Sequence, residues 1–571
     1  MNKKPRFTRR TIVKGITASS LLPLLGGNLA GCSDSSDRLA RVESVPADFL
    51  HGVASGDPLS DSVILWTRAT PESEGTVVID WELAADDSFD DILAGGSDTT
   101  DASVDYTFKV DVQGLAAGTD YYYRFKTGDK LSATGFTRTA PTGALGRASF
   151  AVVSCANYPA GYFHVYRDIA GRDVDAVLHL GDYIYEYASD GYASDIAEEL
   201  GRVSEPAHEL LSLEDYRIRY AQYHSDVDLQ ACHAAHPFIV VWDDHEIADN
   251  AWKDGAGNHD PDTEGDYSER RAAAIQAWYE WLPVRPPASE REIIYRRHQY
   301  GDLLDLLMLD TRSIGRDQQV DYNDHLAGEA IDVDSARAAI GDSTRSLLGR
   351  DQLDWLKGQL TDSTTRWQVL GQQVIMARLA LPEPLTRGLA LGGSLEQAVA
   401  ATLATAAAKN KPPEERTPAE QALLDSAIPL NTDAWDGYDF EREDLLNHVA
   451  QLQSRLVVLS GDSHNTWVSQ LTTVDGTPVG VEFGGSSISS PGVEQVAGAD
   501  NAAVIALFAT NLVDDLNFAN LADRGYLLVS FTAEEVSAKC LYVSSVVEPD
   551  YTINEELERS FVVPRDTLLL G

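Results

Sequence analysis

The chain has 571 residues, 43% of them hydrophobic and 23% charged, which is enough for more than one buried core. Its 89 acidic residues stand against 45 basic ones, a formal charge of -44. Such a surface repels nucleic acid and anionic membranes, so nucleic acid is not expected as a partner. Most of the carboxylates read as a solvated acidic surface, and a few are expected to meet hard cations such as calcium.

Residues 1–32 read as a targeting segment. Thr8-Arg9-Arg10-Thr11-Ile12-Val13-Lys14 is similar to a twin-arginine export signal, with Ile12 where Phe is commoner. The apolar stretch from Ile16 to Leu29 is too short and too rich in Gly and Ser for a membrane span. It leads into Leu29-Ala30-Gly31-Cys32, a lipoprotein-type box that makes Cys32 the candidate lipidated residue. A plain cleaved signal with a chance cysteine is the blander alternative. The expectation is a protein exported by the twin-arginine machinery to the periplasm or cell surface and held to a membrane only through a lipid at Cys32. Residues 33–44 read as a polar tether. With Cys32 set aside, Cys155, Cys232 and Cys540 remain. An odd number leaves one thiol without a partner, and Cys155 is the candidate.

Residues 45–145 read as all-β. Ser62-Val63-Ile64-Leu65-Trp66-Thr67 and Thr76-Val77-Val78-Ile79-Asp80-Trp81 carry β-branched and aromatic residues between turn signals. The segment from Leu115 to Phe125 resembles a late strand of a fibronectin III/Ig-like sandwich. From about Ser149 the rhythm becomes that of an α/β domain over 146–571. Six apolar runs have the length of buried strands: 150–153, 176–180, 238–241, 306–309, 367–370 and 456–459. They are followed by Ser154-Cys155, Gly181-Asp182, Trp242-Asp243-Asp244-His245-Glu246, Asp310-Thr311-Arg312, Gly371-Gln372-Gln373 and Ser460-Gly461-Asp462-Ser463-His464. In open α/β sheets the carboxyl ends of strands form the ligand crevice, so these groups are expected at one edge of one sheet, in the outline of a metal site. Residues 385–430, Ala-rich and broken by Lys411-Pro412-Pro413, read as an inserted helical cap or a functionless surface excursion.

Gly181-Asp182-Tyr183-Ile184-Tyr185 puts a carboxylate at a strand end and a phenol three residues on. Alone it is a weak signal, and a core aromatic is the plainer reading of Tyr185. Together with Gly461-Asp462-Ser463-His464 it becomes specific. These two segments, with Ser154-Cys155-Ala156-Asn157-Tyr158-Pro159, Trp242-Asp243-Asp244-His245-Glu246 and Leu309-Asp310-Thr311-Arg312, occur in the order seen in PhoD-type alkaline phosphatases, and the chain resembles that family over nearly all of its mature length. Trp435-Asp436-Gly437-Tyr438 and the helical segment from Ala277 to Arg285 are similar as well. The resemblance implies a calcineurin-like metallophosphoesterase core preceded by the small β-sandwich.

It further implies a ferric ion (Fe3+) and calcium (Ca2+) sharing a carboxylate. Carried over by motif, Cys155, Asp182 and Tyr185 would hold iron with His464 as companion. Asp182 would bridge to calcium, and Asp462 with Asp244, Asn250 or both would complete the second site. Thiolate and phenolate suit trivalent iron; carboxylate and amide oxygens suit calcium. An inert buried thiol is the competing reading of Cys155. His245 would be a phosphate contact or proton donor. Asn157 and Arg312 would clamp phosphate, a structural salt bridge being the equal alternative for Arg312. The metals would polarise phosphoryl oxygens and turn water into a hydroxide nucleophile. Their +5 would offset the remote acidic surface for an anionic mono- or diester substrate.

Other chemistries fit poorly. There is no Gly-x-Ser-x-Gly elbow, position 249 is Asp where a zincin needs its second His, and no Walker-A loop or dinucleotide fingerprint is present. The segment from Asp260 to Gly265 begins like an EF-hand, but Arg271 stands where a bidentate Glu is needed, so it reads as an acidic surface loop. Two alternatives remain beside an exported phosphatase: a phosphodiesterase or phospholipase-D-like enzyme of the same family, and a surface binding protein that has lost catalysis. The complete set Cys155, Asp182, Tyr185, Asp462 and His464 argues for an enzyme.

Overall fold

The computed structural model describes residues 43–287, 292–392 and 394–570. The export-like segment, Cys32 and all but the end of the 33–44 tether lie outside these residues. No helix among the described residues is long and apolar enough to cross a membrane.

Each of the six apolar runs lies in a strand: Ala148–Val153, Ala176–His179, Pro237–Val240, Leu304–Met308, Trp367–Gly371 and Leu456–Ser460. They do not share one sheet, as the sequence suggested. The first three lie parallel in a nine-stranded sheet. The other three, with Pro478–Gly484, lie parallel in a seven-stranded sheet. Alternation along a strand shows why both solutions read alike. Leu306 and Met308 join the core that links the two sheets through Phe150, Val152 and Ile239. Leu307 and Leu309 join a second core with Leu356 and Leu360 of helix Arg350–Asp362 and Leu445 and Val449 of helix Asp439–Leu452. A strand covered on one side by a sheet and on the other by helices is as continuously apolar as one covered by helices on both. The architecture is an α/β fold with mixed sheets.

The N-terminal strands are not set apart from this core. Val53–Gly56, Ser62–Arg68 and Thr107–Gln113 extend the nine-stranded sheet, Gly56 pairing in parallel with Phe238. A separate five-stranded antiparallel sheet, with Val77–Ala84 and Asp120–Thr127 at its centre, packs on them through Val63, Leu65, Ile79, Tyr123 and Phe125. At the other side Gly525–Phe531 pairs antiparallel with Ala148–Val153, so the sheet receives strands from both ends of the chain.

Residues 380–429 form a helical excursion whose base is closed by the pair Ala380–Pro382 and Ala427–Pro429. Its helices are Glu383–Ala390, Leu395–Lys409 and Pro418–Asp425. The last begins with a reciprocal cap, the Thr417 hydroxyl taking the Glu420 amide while the Glu420 carboxylate takes the Thr417 amide. The acidic segment read as a loop around Asp260 holds one helical turn, Pro261–Glu264, because Asp260 accepts from the Asp262 amide and Pro261 supplies a first-turn φ. Cys155, Cys232 and Cys540 are all buried and unpaired.

Candidate metal centre

The site is assembled from strand ends. Cys155, Asp182 and the pair Asp243-Asp244 leave three adjacent strands of the nine-stranded sheet, whereas Arg312 and the Asp462-His464 turn leave two strands of the other sheet. Gln373 ties the two sheets together here, its amide donating to the carbonyls of Trp242 and Leu309 at 2.7 and 3.0 Å. To aim their side chains inward, the strand ends turn sharply. Of the twelve non-glycine residues with positive φ among the described residues, five are Cys155, Asp182, Asn250, Asp462 and His464. Such conformations cost about 1–3 kcal/mol each and persist where the surroundings enforce them, which is common at functional sites. Gly181, at φ 111°, has to be glycine: a Cβ there would overlap the Cβ of Asp243.

Cys155, Asp182 and His464 bring ligand atoms within 4.8 Å of one another. So do Asp182, Asp244 and His245, and likewise Asp243, Asp244 and Asp462. Asp182 belongs to the first two groups and Asp244 to the last two, which makes one continuous cluster. The Tyr185 hydroxyl lies 2.9 Å from Asp182 Oδ2 and 3.0 Å from His464 Nε2, and accepts from the Ser490 hydroxyl at 2.6 Å. His464 Nδ1 is 2.7 Å from the Pro491 carbonyl and therefore carries the proton, which leaves the Nε2 lone pair facing Tyr185 and Asp182.

Two buried glutamates organise the rest. Glu246 accepts the backbone amides of Asp182, Tyr183 and Asp243 at 3.0, 2.6 and 2.7 Å. Glu186 accepts from His245 Nδ1, the Asp249 amide and the Asn258 side chain, each at 2.7 Å. Burial works against charge on His245, but the carboxylates of Glu186, Asp244 and Asp182 outweigh it and raise its pKa well above the usual range. Asn250 reaches the cluster through its backbone, its amide donating to Asp244 Oδ2 at 2.6 Å, while its side chain donates to Asp249.

Arg312 is fully buried and surrounded by acids. Its Nε meets Asp243, its Nη2 lies 2.8 Å from Asp462 and 3.5 Å from Asp244, and its Nη1 lies 2.6 Å from Asp433. Asp310 holds the turn, accepting the amides of Arg312 and Ser313 at 2.9 Å. Burial raises the pKa of Asp243 and Asp462, opposed by Arg312. Asp244 goes the other way, because Arg312 and His245 overcome its burial. Burial and the Asp182 charge also raise Cys155 and Tyr185.

These groups suit metal ions. Asp243, Asp244, Asp433 and the half-buried Asp462 surround the Arg312 guanidinium, Arg316 also meets Asp433, and Asp182 lies beside Asp244, so carboxylates still outnumber guanidinium groups. Asp182 Oδ1, Asp243 Oδ2 and Asp244 Oδ1 are buried without a hydrogen-bond donor, and in the Asn157 side chain Oδ1 meets no donor and Nδ2 no acceptor. Buried uncompensated charge of this kind is very unfavourable unless cations balance it.

The structure thus gathers Cys155, Asp182, Tyr185, Asp244, His245, Arg312, Asp462 and His464 in one place, with Asn250 joined through its backbone. The Asn157 carbonyl accepts from Ser489, in the segment that also supplies Ser490. Asp243 was not singled out from the sequence, although a signal existed. His179 pairs with Val240, and Asp182 and Asp243 each stand three residues beyond that pair. Asp433 and Ser490 had no local signal, since each arrives from a segment remote in sequence, whereas Glu186 directly follows Tyr185 in the same motif and only its pairing with His245 was hidden.

Residues 150–540 match the PhoD-like phosphatase family, and residues 34–141 match its N-terminal domain. The chain is 35% identical to alkaline phosphatase D of Bacillus subtilis (strain 168), covering 98% of this chain and 88% of that protein. A solved structure of PhoD superposes with a TM-score of 0.74 at 33% identity, covering 92% of each chain. The chain belongs to the PhoD-like phosphatase family and is a phosphoric ester hydrolase.

Proposed function

We propose that the protein is an exported phosphatase that hydrolyses phosphate esters at a centre pairing a ferric ion with calcium. The observation that carries this reading is the buried surplus of carboxylate over guanidinium around Asp182. Cys155, Tyr185 and His464 would hold the iron, Asp182 would be shared, and Asp462, Asp244 and Asn250 would hold calcium. When bound, the metals supply Lewis acidity toward a phosphoryl oxygen and an attacking water.

The chain's own groups do the positioning. Arg312 holds Asp243 and Asp462 together against their mutual repulsion, and its nitrogens are turned to acids. Glu186 keeps His245 protonated and fixes its ring, so that the proton on Nε2 is available to a leaving alkoxide or a phosphoryl oxygen. The Asn157 Nδ2–H group, which meets no acceptor in the protein, is a further donor for phosphate oxygens. Cys155 and Tyr185, protonated in the uncharged state that burial favours, release protons as cations bind. The same reading includes a calcineurin-like core, a fibronectin III-like N-terminal sandwich, twin-arginine export and a lipid at Cys32.

The test is the initial rate on p-nitrophenyl phosphate against its bis-ester, with calcium present, together with the visible spectrum. The phosphatase reading expects the monoester to be hydrolysed at least as fast, by a protein with a thiolate- or phenolate-to-iron charge-transfer band. A clearly faster bis-ester makes the enzyme a phosphodiesterase. A colourless protein of full activity overturns the ferric assignment.

A further inference from the structure

A cavity of about 500 Å3 opens at the end of the seven-stranded sheet remote from the metal centre. Strands Leu304–Met308, Trp367–Gly371 and Leu456–Ser460 are parallel, and their far ends feed the centre, so the residues just before them collect at the opposite edge. These are Asp302, Arg366 and Arg455, and all three line the cavity. Arg565, which follows strand Arg559–Pro564 of the other sheet, closes it from the side. A five-residue strand spans roughly 17 Å, so no residue here reaches the reacting groups.

The cavity differs from the rest of the molecule in charge. The chain has about twice as many acids as bases, yet three guanidinium groups line this space with one carboxylate, Asp302, which lies 3.8 Å from Arg366 Nη2. The Nε–H groups of Arg455 and Arg565 are buried and meet no acceptor in the protein. Arg455 is anchored through its backbone at the start of its strand. Its amide donates to Gln368 Oε1 at 2.9 Å, its carbonyl accepts the Gln368 amide at 3.1 Å, and its Nη1 donates to the Gln453 carbonyl at 2.8 Å. Ser363, Thr364 and Thr365 also line it, the hydroxyls of Ser363 and Thr365 donating to Asp305 and to the Trp367 carbonyl.

Buried donors without protein acceptors are open to water or to an anion, and three guanidinium groups lining one space supply the charge and the planar donors that suit a tetrahedral oxyanion. We propose that this cavity is a second anion site that binds a phosphate group through Arg366, Arg455 and Arg565. The site is separate from the metal centre and does not depend on the hydrolytic reading. Its occupant is free phosphate or the phosphate of a lipid headgroup.

The test titrates inorganic phosphate by calorimetry into the metal-loaded full-length protein in chloride buffer. Two binding events are expected in the wild type. Arg455→Gln combined with Arg565→Gln should weaken one of them at least about tenfold, the size expected for lost charge-assisted hydrogen bonds. Competitive inhibition of ester hydrolysis by phosphate should be unchanged in that variant, because the metal centre is intact. Vesicles containing phosphatidic acid separate the sources: sedimentation lost in the variant identifies a lipid phosphate, and absence of sedimentation beside two phosphate events identifies the free ion. A single event with no vesicle binding overturns the proposal, as does retention of both events in the variant. If the double variant folds poorly, Arg366→Gln replaces it, since that side chain is 43% exposed; unchanged phosphate affinity there also overturns the site.

Discussion

The carboxylate of Glu246 accepts the backbone amide of Asp182 at 3.0 Å, so the residue shared between two ligand groups is held from the neighbouring strand end. The same carboxylate takes the amides of Tyr183 and Asp243, which makes Glu246 a clamp on two ligand-bearing turns. Glu246→Gln sets an NH2 group against one of these N–H donors. Loss of such supporting contacts typically costs 10–100-fold in metal affinity or activity, and a drop of about that size is expected. Turnover and elemental metal content of the purified variant measure it; wild-type values for both would remove Glu246 from this role.

Asp182→Asn keeps the size of the side chain but removes the charge common to two of the ligand groups. Activity should fall by roughly two orders of magnitude or more, because the charge that the proposed pair of cations would share is lost. The variant should still fold, since burying a neutral amide there relieves repulsion among carboxylates. Circular dichroism and steady-state rates test both halves of the expectation.

Gly181 and Gly114 both have positive φ but differ in their surroundings. Nothing lies within 4 Å of a Cβ placed on Gly114, whereas one on Gly181 overlaps Asp243. Gly114→Ala should cost about 1 kcal/mol, from backbone conformation alone. Gly181→Ala should cost on the order of 3 kcal/mol by adding overpacking, and should also displace Asp243. Urea denaturation of the two variants separates the terms, and equal losses would contradict the crowding at Gly181.

Several histidines outside the ligand cluster are held neutral by burial, among them the half-buried His51 and the fully buried His233 and His298. Burial lowers the pKa from 6.5 to about 3 at His51 and His233 and to about 4 at His298. A depressed folded-state pKa contributes stability above the unfolded value and loses it as pH falls toward the folded value. Unfolding between pH 6.5 and about 4 therefore takes up protons, and stability should decline with acidification by up to about 1.4 kcal/mol per pH unit for each histidine. Denaturation midpoints at pH 7, 6 and 5, with metals in excess, check this. A flat profile over that range would falsify the neutral burial of these rings.

Much of this protein was determined by its sequence alone. Six apolar runs of strand length, each ending in Cys, Asp or amide residues, are local patterns, and local patterns survive without coordinates because a buried strand has to be apolar wherever it is placed. Cys155, Asp182, Asp462 and His464 were legible for the same reason, since each stands immediately beyond such a run. The tertiary structure decided what depends on contact between distant segments. It divided the runs between two sheets, a choice invisible in strands apolar on both faces. It brought Asp433 to Arg312 across 121 residues and Ser490 to Tyr185 across 305, distances over which no periodicity carries information. It chose the partners of Arg312, because a guanidinium finds its carboxylates only when several chain ends meet. It also set Arg366, Arg455 and Arg565 around one cavity, since parallel strands collect their starts at one edge as surely as their ends at the other.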